Sequence, residues 1–362
     1  MNKYEIKNAW NRIDKSEESS IEKFSFEYMD FIDRSKTERV CINEIRRTAK
    51  EHGFVDLDKL ISENTKLIPG MKIYAENNHK SAVLFVIGDE PIENGFKMVG
   101  SHVDSPRIDL KPNPLYEDSN IALFKTHYYG GIKKYQWATI PLSLYGTVYN
   151  SLGEKIDISI GDDENDPIFF INDLLIHLSS DQMQLKASEV IKGEQLNVMA
   201  GSKPLPLGDD GKEQKDSFKG NVLRILKDRY DIDERAFMSA EFELVPSGKA
   251  REAGLDRSMI MAYGHDDRVC AFASLKSILE TEKSELMKCA VFADKEEVGS
   301  QGNTGMESRF FENMVAELIN LQGEYSDLKL RRAFSNAKVL SADVNCCVVS
   351  SFSEVKEKNN NA

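Results

Sequence analysis

The stretch that decides the fold is Val291-Phe-Ala-Asp-Lys-Glu-Glu-Val-Gly-Ser300. The apolar run from Cys289 to Ala293 is short, which is typical of a buried strand. Two adjacent carboxylates, those of Glu296 and Glu297, follow this predicted strand almost at once. Buried carboxylates lose hydration and repel each other, so the pair needs a nearby cation or a raised pKa. A divalent metal, with one glutamate as ligand and the other as general base, satisfies this need. The alternative is a solvated acidic turn.

The composition is that of a globular protein without a basic surface. Of the 362 residues 41% are hydrophobic, and 47 basic against 60 acidic residues give a net charge of -13. This charge argues against nucleic acid or an anionic membrane as the main partner. No stretch approaches the ~20 apolar residues of a membrane span, and residues 1–10 hold no signal-peptide core.

The cysteines, odd in number and without Cys-x-x-Cys spacing, are Cys41, Cys270, Cys289, Cys346 and Cys347. We therefore expect reduced thiols in a cytoplasmic protein.

Hydrophobic periodicity divides the chain into an α/β part and a β-rich part. Apolar residues at helical spacing, followed by alternating patterns, predict helices and then strands up to about Pro112-Asn-Pro114. The next stretch is mostly strands and turns, and α/β character returns near position 239. We therefore predict an α/β domain made of residues 1–114 and 239–362. It is interrupted by an inserted β-rich domain of residues 115–238.

Residues that suit metal coordination follow four predicted strands of the α/β part. In open α/β sheets, ligands bind outside the carboxyl ends of the strands. One such residue is usually a turn or cap, but four groups together predict a zinc-type site of imidazole and carboxylates. The carboxylates suffice for two metal ions about 3.5–4 Å apart. The strands are predicted at 98–100, 259–264, 290–293 and 339–342, and the residues after them are His102, Asp104, His265, Asp266, Asp267, Glu296, Glu297 and Asp343.

Two of these residues suggest particular tasks. Asp104 lies two positions after His102, so its carboxylate can accept the free imidazole N–H and fix the tautomer. His265 is either a ligand or a structural residue. Its neighbour Asp266, with the shorter side chain, is the better candidate to bridge two metal ions.

Four motifs resemble those of the aspartyl aminopeptidase family, a branch of the cocatalytic zinc exopeptidases. They are Ser101-His-Val-Asp-Ser-Pro-Arg107, Gly264-His-Asp-Asp-Arg268, Asp294-Lys-Glu-Glu-Val-Gly-Ser300 and Ser341-Ala-Asp343. The resemblance runs from the N-terminal helices to Asp343. It implies a zinc-exopeptidase-like α/β/α catalytic domain, and an inserted β-rich domain used in assembly. It also implies self-association into a tetrahedral dodecamer built from dimers.

The resemblance also implies a dinuclear site with two divalent ions per chain, for which Zn²⁺ is favoured. His102 and Asp343 share one metal, Glu297 binds the other, and Asp266 bridges the two.

Three further residues receive roles from the same resemblance. Glu296 is the general base, and Asp104 orients the histidine ligand. His177, in Asp173-Leu-Leu-Ile-His-Leu178, falls near a family histidine that reaches a neighbouring subunit's active site. For His177 a buried core histidine is the alternative.

The sequence thus predicts a metal-dependent aminopeptidase that removes the N-terminal residue from peptides with a free N-terminus. One alternative is a related dinuclear deacylase acting on N-acyl amino acids. Another is a non-catalytic, shell-forming homologue with an incomplete metal site. That alternative arises because the resemblance implies a further C-terminal part that carries a last histidine ligand. None of the six histidines lies beyond His265, so the sequence to Ala362 is expected to lack that ligand.

Overall fold

The computed structural model describes residues 8–150, 152–212, 214–345 and 350–355. Outside these ranges lie Cys346 and Cys347, two of the predicted thiols, and the end of the sequence at 358–362. The other three cysteines, Cys41, Cys270 and Cys289, are free thiols. The helices are α1 (Lys15–Asp33), α2 (Glu38–Glu51), α3 (Leu57–Ser62), α4 (Ser217–Tyr230), α5 (His265–Leu279), α6 (Phe310–Gln322) and α7 (Asp327–Ser335). The strands are β1 (Val55–Asp56), β2 (Lys72–Asn77), β3 (Ser81–Val86), β4 (Phe96–His102), β5 (Arg107–Asp118), β6 (Ile121–Tyr129), β7 (Leu142–Tyr149), β8 (Lys155–Ile160), β9 (Val198–Gly201), β10 (Glu241–Pro246), β11 (Arg251–Ala253), β12 (Met259–Met261), β13 (Met287–Ala293) and β14 (Lys338–Ser341).

The chain divides into two compact units, each with its own sheet. The second unit comprises Ser105–Tyr263 and Glu297–Gly299, and the first comprises the rest. The second unit therefore begins before the predicted boundary at 115 and ends after the one at 238. The reason is strand pairing, since β5 and β10 are antiparallel neighbours with Glu243 opposite Asp109. A boundary inside β5 or just before β10 would cut this sheet.

The first unit contains a six-stranded mixed sheet with helices on both faces. Its strand order is β1-β2-β3-β13-β4-β14, and β4 runs parallel to both β13 and β14. On one face, Val83 and Phe85 of β3 join a buried cluster with residues of α3, α6 and α7. Successive strand residues point to opposite faces, so Leu84 faces the other side, where α2 and α5 pack against the sheet. The parallel strands β13, β4 and β14 bring their carboxyl ends to one edge.

The second unit contains a six-stranded antiparallel sheet in the order β8-β7-β10-β5-β6-β9. Its core includes Phe124 of β6, Leu144 of β7 and Phe218 of α4. The sequence predicted a change of domain at Pro112-Asn-Pro114, but β5 continues through it. Pairing with β6 shifts register between Leu110 and Leu115, so the prolines occupy an irregular stretch in which their missing N–H groups break no regular ladder.

The strand predicted at 259–264 is not part of the first unit's sheet. It is shortened to β12, which pairs with β11 in a separate two-stranded sheet. Met259 and Met261 are exposed by 59% and 74%, which does not suit a buried parallel strand. Asp266 is therefore presented by the first turn of α5 rather than by a strand end.

None of the described helices is long and apolar enough to cross a membrane.

Candidate active site

His102 ends β4 and is held on two sides. Its side chain is only 4% exposed, and its backbone N–H donates to Oδ2 of Asp267 across 3.2 Å. Its Nδ1 lies 3.1 Å from the backbone carbonyl oxygen of Asp104 and 3.4 Å from Oδ1 of the same residue. Acceptors at Nδ1 favour the tautomer with a proton there. The other ring nitrogen, Nε2, is then left with a lone pair that can bind a metal.

Nε2 of His102 faces three carboxylates. It lies 3.2 Å from Asp266 Oδ1, 3.6 Å from Glu296 Oε2 and 3.8 Å from Asp343 Oδ1. The atom is buried and makes no hydrogen bond among the described residues. A buried nitrogen without a hydrogen bond, surrounded by anionic oxygens, is suited to a cation. His102, Asp266 and Asp343 each offer one ligand atom, and these atoms lie within 4.8 Å of one another. One imidazole and two carboxylates are a donor set that fits zinc.

Three neighbouring strands and one helix bring these side chains together. His102 ends β4, Asp343 follows the adjacent β14, and Glu296 follows β13 in a 3-10 turn. Asp266 comes from the start of α5, which α1 holds in place. There the Tyr28 hydroxyl hydrogen-bonds Nδ1 of His265 at 2.7 Å, directly before Asp266. This contact places His265 in the packing between α1 and α5.

Asp104 connects the histidine to the predicted base. Its carboxylate is fully buried, and its Oδ1 accepts a hydrogen bond from the backbone N–H of Glu296 at 3.2 Å. The same oxygen lies 3.4 Å from His102 Nδ1. This geometry fits the predicted orienting role, which stays a prediction.

The electrostatics favour a cation at His102. Burial acts to lower its pKa, but the hydrogen bond and charge of Asp104, with the charges of Asp267 and Glu296, outweigh burial and raise the pKa to about 9. Burial raises the pKa of Asp266, and it raises that of Asp267 to about 6. The carboxylates thus stabilise a positive charge at the imidazole, and a metal bound there would supply that charge instead.

Asp267 was predicted only as one of several candidate metal-binding residues, without a role of its own. It is fully buried, and while Oδ2 accepts the His102 N–H, Oδ1 makes no hydrogen bond among the described residues. The Asp-Asp pair at 266–267 was visible in the sequence, but its spacing did not show that the second carboxylate contacts a backbone group of β4.

The two remaining predicted residues, Glu297 and His177, belong to the second unit. His177 lies in an exposed 3-10 turn, Ile176–Leu178, so the alternative of a core histidine is wrong. The apolar residues of this turn, Ile176 and Leu178, are exposed as well, by 69% and 67%. The assignments of Glu297 and His177 stay predictions.

Comparison with known proteins identifies the family. A profile of the family described as Aminopeptidase I zinc metalloprotease (M18) matches residues 31–362. A probable M18 family aminopeptidase 1 of Clostridium acetobutylicum is 46% identical over 99% of this chain and 76% of its own length. The crystal structure of an M18 aminopeptidase from Thermotoga maritima superposes with a TM-score of 0.91 at 43% identity, covering 99% of this chain and 76% of that one.

A more distant structure, a dodecamer from Saccharomyces cerevisiae, has a TM-score of 0.73 at 21% identity and covers 94% of this chain and 76% of that one. The likeness at this distance shows the shared fold. The predicted α/β exopeptidase fold, the zinc dependence and the hydrolase activity are confirmed by these relationships. The chain belongs to the M18 family of aminopeptidase I zinc metalloproteases, and it is a metal-dependent aminopeptidase.

Proposed function

We propose that this aminopeptidase cleaves the N-terminal residue from peptides with a free N-terminus at a site for two divalent ions. The observation that carries the proposal is the buried Nε2 of His102, which makes no hydrogen bond among the described residues and faces Asp266, Glu296 and Asp343 within 3.8 Å. A nitrogen and several carboxylates converging on one point are typical of a cocatalytic zinc site.

The ligands are assigned by residue type and position. His102 and Asp343 would hold one ion, Glu297, the residue next to Glu296, would hold the second, and Asp266 would be shared by both. Two bound ions would supply anchorage of the free α-amine, polarisation of the scissile carbonyl and activation of water at neutral pH. Asp104 keeps the His102 imidazole in the tautomer that this ligation requires.

Glu296 is assigned as the general base. Its side chain is 47% exposed, and its Oε2 lies 3.6 Å from His102 Nε2, so the carboxylate borders the metal position and remains open to substrate. It takes a proton from the attacking water and delivers it to the leaving amine. The hydrogen bond from its backbone N–H to Asp104 fixes the turn from which it projects.

Self-association through the second unit forms part of the proposal, with a dodecamer built from dimers as the assembly. The segment around His177 supports it, because several large apolar side chains there are exposed by more than half. These side chains are Leu174, Leu175, Ile176 and Leu178, exposed by 53%, 56%, 69% and 67%. Large apolar side chains exposed in one short segment favour an interaction surface. The S. cerevisiae structure is described as a dodecamer, which supports self-association but not a particular interface. We assign to His177 a contact with a neighbouring subunit's substrate.

Light scattering tests the assembly. Leu175→Asp combined with Ile176→Asp should lower the mass per particle, whereas Leu207→Asp, at an exposed leucine elsewhere in the unit (65% exposed), should leave it unchanged. Equal masses for the two variants would place the subunit contacts elsewhere.

A substrate panel tests the reaction itself. The metal-free protein should be inactive, and zinc should restore hydrolysis of peptides with a free N-terminus but not of N-acetylated peptides. Turnover of N-acyl amino acids in place of free peptides would favour the deacylase alternative.

A reducing, cytoplasmic compartment completes the proposal, since Cys41, Cys270 and Cys289 are free thiols.

A further inference from the structure

Gly130, the residue directly after β6, lies against Glu297 within the second unit. A Cβ atom built on Gly130 would lie 3.2 Å from Cβ and 3.2 Å from Oε2 of Glu297, and 3.4 Å from Cα of Pro106. The two carbon–carbon separations are shorter than ordinary carbon contacts of about 3.5–4.0 Å. The absence of a side chain at Gly130 therefore leaves the space that the Glu297 carboxylate occupies.

The strand end that carries Gly130 is fixed from one side by a buried arginine. Arg107 of β5 is the register partner of Tyr129, and its guanidinium lies 3.9 Å from the centre of the Tyr129 ring. The same guanidinium is ion-paired with Asp109 at 2.7 Å and with Glu243 at 3.2 Å. Moving the end of β6 would disturb this cluster of buried charges, which is costly.

The backbone on the other side of Gly130 is fixed as well. The Tyr263 hydroxyl donates a hydrogen bond to the carbonyl oxygen of Pro106 at 2.9 Å. The Tyr263 ring in turn packs edge-on against Trp137, with centroids 6.5 Å apart. Since the backbone of both neighbours is held, a side chain at position 130 can be accommodated only if Glu297 moves.

We propose that Gly130 is a positioning residue for the aminopeptidase reaction: its missing side chain lets the Glu297 carboxylate take the place from which it binds metal. The inference rests on the proposed role of Glu297 as a ligand. Residues that support metal ligands typically contribute about 10–100-fold to metal affinity or activity. A methyl group at position 130 is therefore expected to weaken zinc binding at the Glu297 site by about tenfold.

The test compares alanine substitutions at three glycines of the same unit. Gly130 has a φ of +71°, so Gly130→Ala combines backbone strain with the contact to Glu297. Gly153→Ala is the control for strain, because its φ is +78° and an added Cβ would meet nothing within 4 Å. Gly131→Ala is the control for location, because an added Cβ there also meets nothing and its φ is not positive.

Zinc affinity is measured on each metal-free protein by titration against a competing chelator, together with kcat and KM. Gly130→Ala should lose about tenfold in zinc affinity, and both control variants should match the unsubstituted protein. In a Glu297→Ala background, Gly130→Ala should have no further effect on zinc affinity, because its target carboxylate is gone.

The outcomes separate the role of Glu297 from that of Gly130. If Glu297→Ala leaves zinc affinity unchanged, the ligand assignment is wrong and the proposed dinuclear site fails with it. If Glu297→Ala weakens zinc binding but Gly130→Ala behaves like Gly153→Ala, the inference about Gly130 alone is overturned. If Gly130→Ala does not fold, the double variant with Glu297→Ala decides: recovery of folding supports the contact with Glu297, and failure to recover overturns the inference.

Discussion

The buried carboxylate of Asp104 accepts a hydrogen bond from the backbone N–H of Glu296 across 3.2 Å. The same carboxylate oxygen lies 3.4 Å from Nδ1 of His102. One side chain therefore contacts both the imidazole and the turn of the proposed base, as the proposed orienting role requires. Metal binding and proton transfer are expected to depend on it together.

Removal of this carboxylate should affect both properties. Asp104→Ala is expected to lower zinc affinity about 10–100-fold, because the His102 imidazole loses the group that orients it. The kcat of the zinc-saturated variant should also fall, because the Glu296 backbone loses its acceptor. Asp89→Ala, at an exposed aspartate, is the control. Unchanged zinc affinity in Asp104→Ala would remove the orienting role.

Glu296→Gln should separate metal binding from turnover. The amide keeps the size of the side chain but cannot accept a proton, and a general base typically contributes about 10²–10⁴-fold. We expect kcat to fall by that factor while zinc content per chain and particle mass stay unchanged. Glu307→Gln, at an exposed glutamate, serves as the control. A kcat above a tenth of the original value, with zinc bound, would contradict the assignment.

Zinc binding should release a proton from His102. In the metal-free protein its pKa is raised to about 9, so the imidazole is charged at pH 7. Zinc requires the neutral ring, and its affinity should therefore rise about tenfold per pH unit towards pH 9. The carboxylates around the ring are those of Asp104, Asp266, Asp267, Glu296 and Asp343. Calorimetry at pH 7 in buffers of different ionisation enthalpy should show proton release that is lost in His102→Ala. Heats that do not depend on the buffer would contradict the raised pKa.

A buried hydrogen bond at the end of β13, two residues before Glu296, should contribute to stability. Asp294 is 1% exposed, and its Oδ2 accepts a hydrogen bond from Thr304 Oγ1 at 2.6 Å. Thr304→Val keeps the shape but removes the donor, and we expect the free energy of unfolding to fall by about 1–3 kcal/mol. Thr304→Ser should restore most of it. Equal stability of the valine and serine variants would show that the hydrogen bond contributes nothing.

The same substitution has a predicted pH dependence. Burial first, and then the charge of Glu38, raise the pKa of Asp294 to about 6, whereas the Thr304 hydrogen bond lowers it. Because the folded-state pKa is raised, the contribution of Asp294 to stability is present at low pH and is lost as the pH rises through about 6. The valine variant raises this pKa further, so its loss of stability should be larger at pH 8 than at pH 5. A loss that is the same at both pH values would contradict this account.

The sequence predicted those parts of the site that lie at strand ends. The apolar runs before His102, Glu296 and Asp343 fall on β4, β13 and β14, which are neighbouring parallel strands. Parallel neighbours bring the residues after their carboxyl ends to one edge, so local patterns were sufficient there. The strand before Asp266 was wrongly predicted to belong to the same sheet. Its residues form β12, which pairs with β11 instead, and the apolar sequence of β12 does not specify that partner.

Contacts between distant residues were not predictable from periodicity. The bond from the His102 backbone to Asp267 spans 165 positions, and the contact between Gly130 and Glu297 joins a turn of the β-rich unit to the central motif. In neither pair does the separation along the sequence indicate that the two residues are in contact. The exposure of His177 was not predictable either. The apolar residues on both sides of it are typical of a buried segment, but His177 is exposed.

The most direct test is the anomalous scattering of zinc in crystals of the zinc-loaded protein. The account predicts one peak about 2.0–2.2 Å from His102 Nε2 and from carboxylate oxygens of Asp343 and Asp266. A second peak should lie about 3.5–4 Å away, bound by Asp266 and Glu297. An active crystal with zinc bound elsewhere, and none at His102, would contradict the central claim.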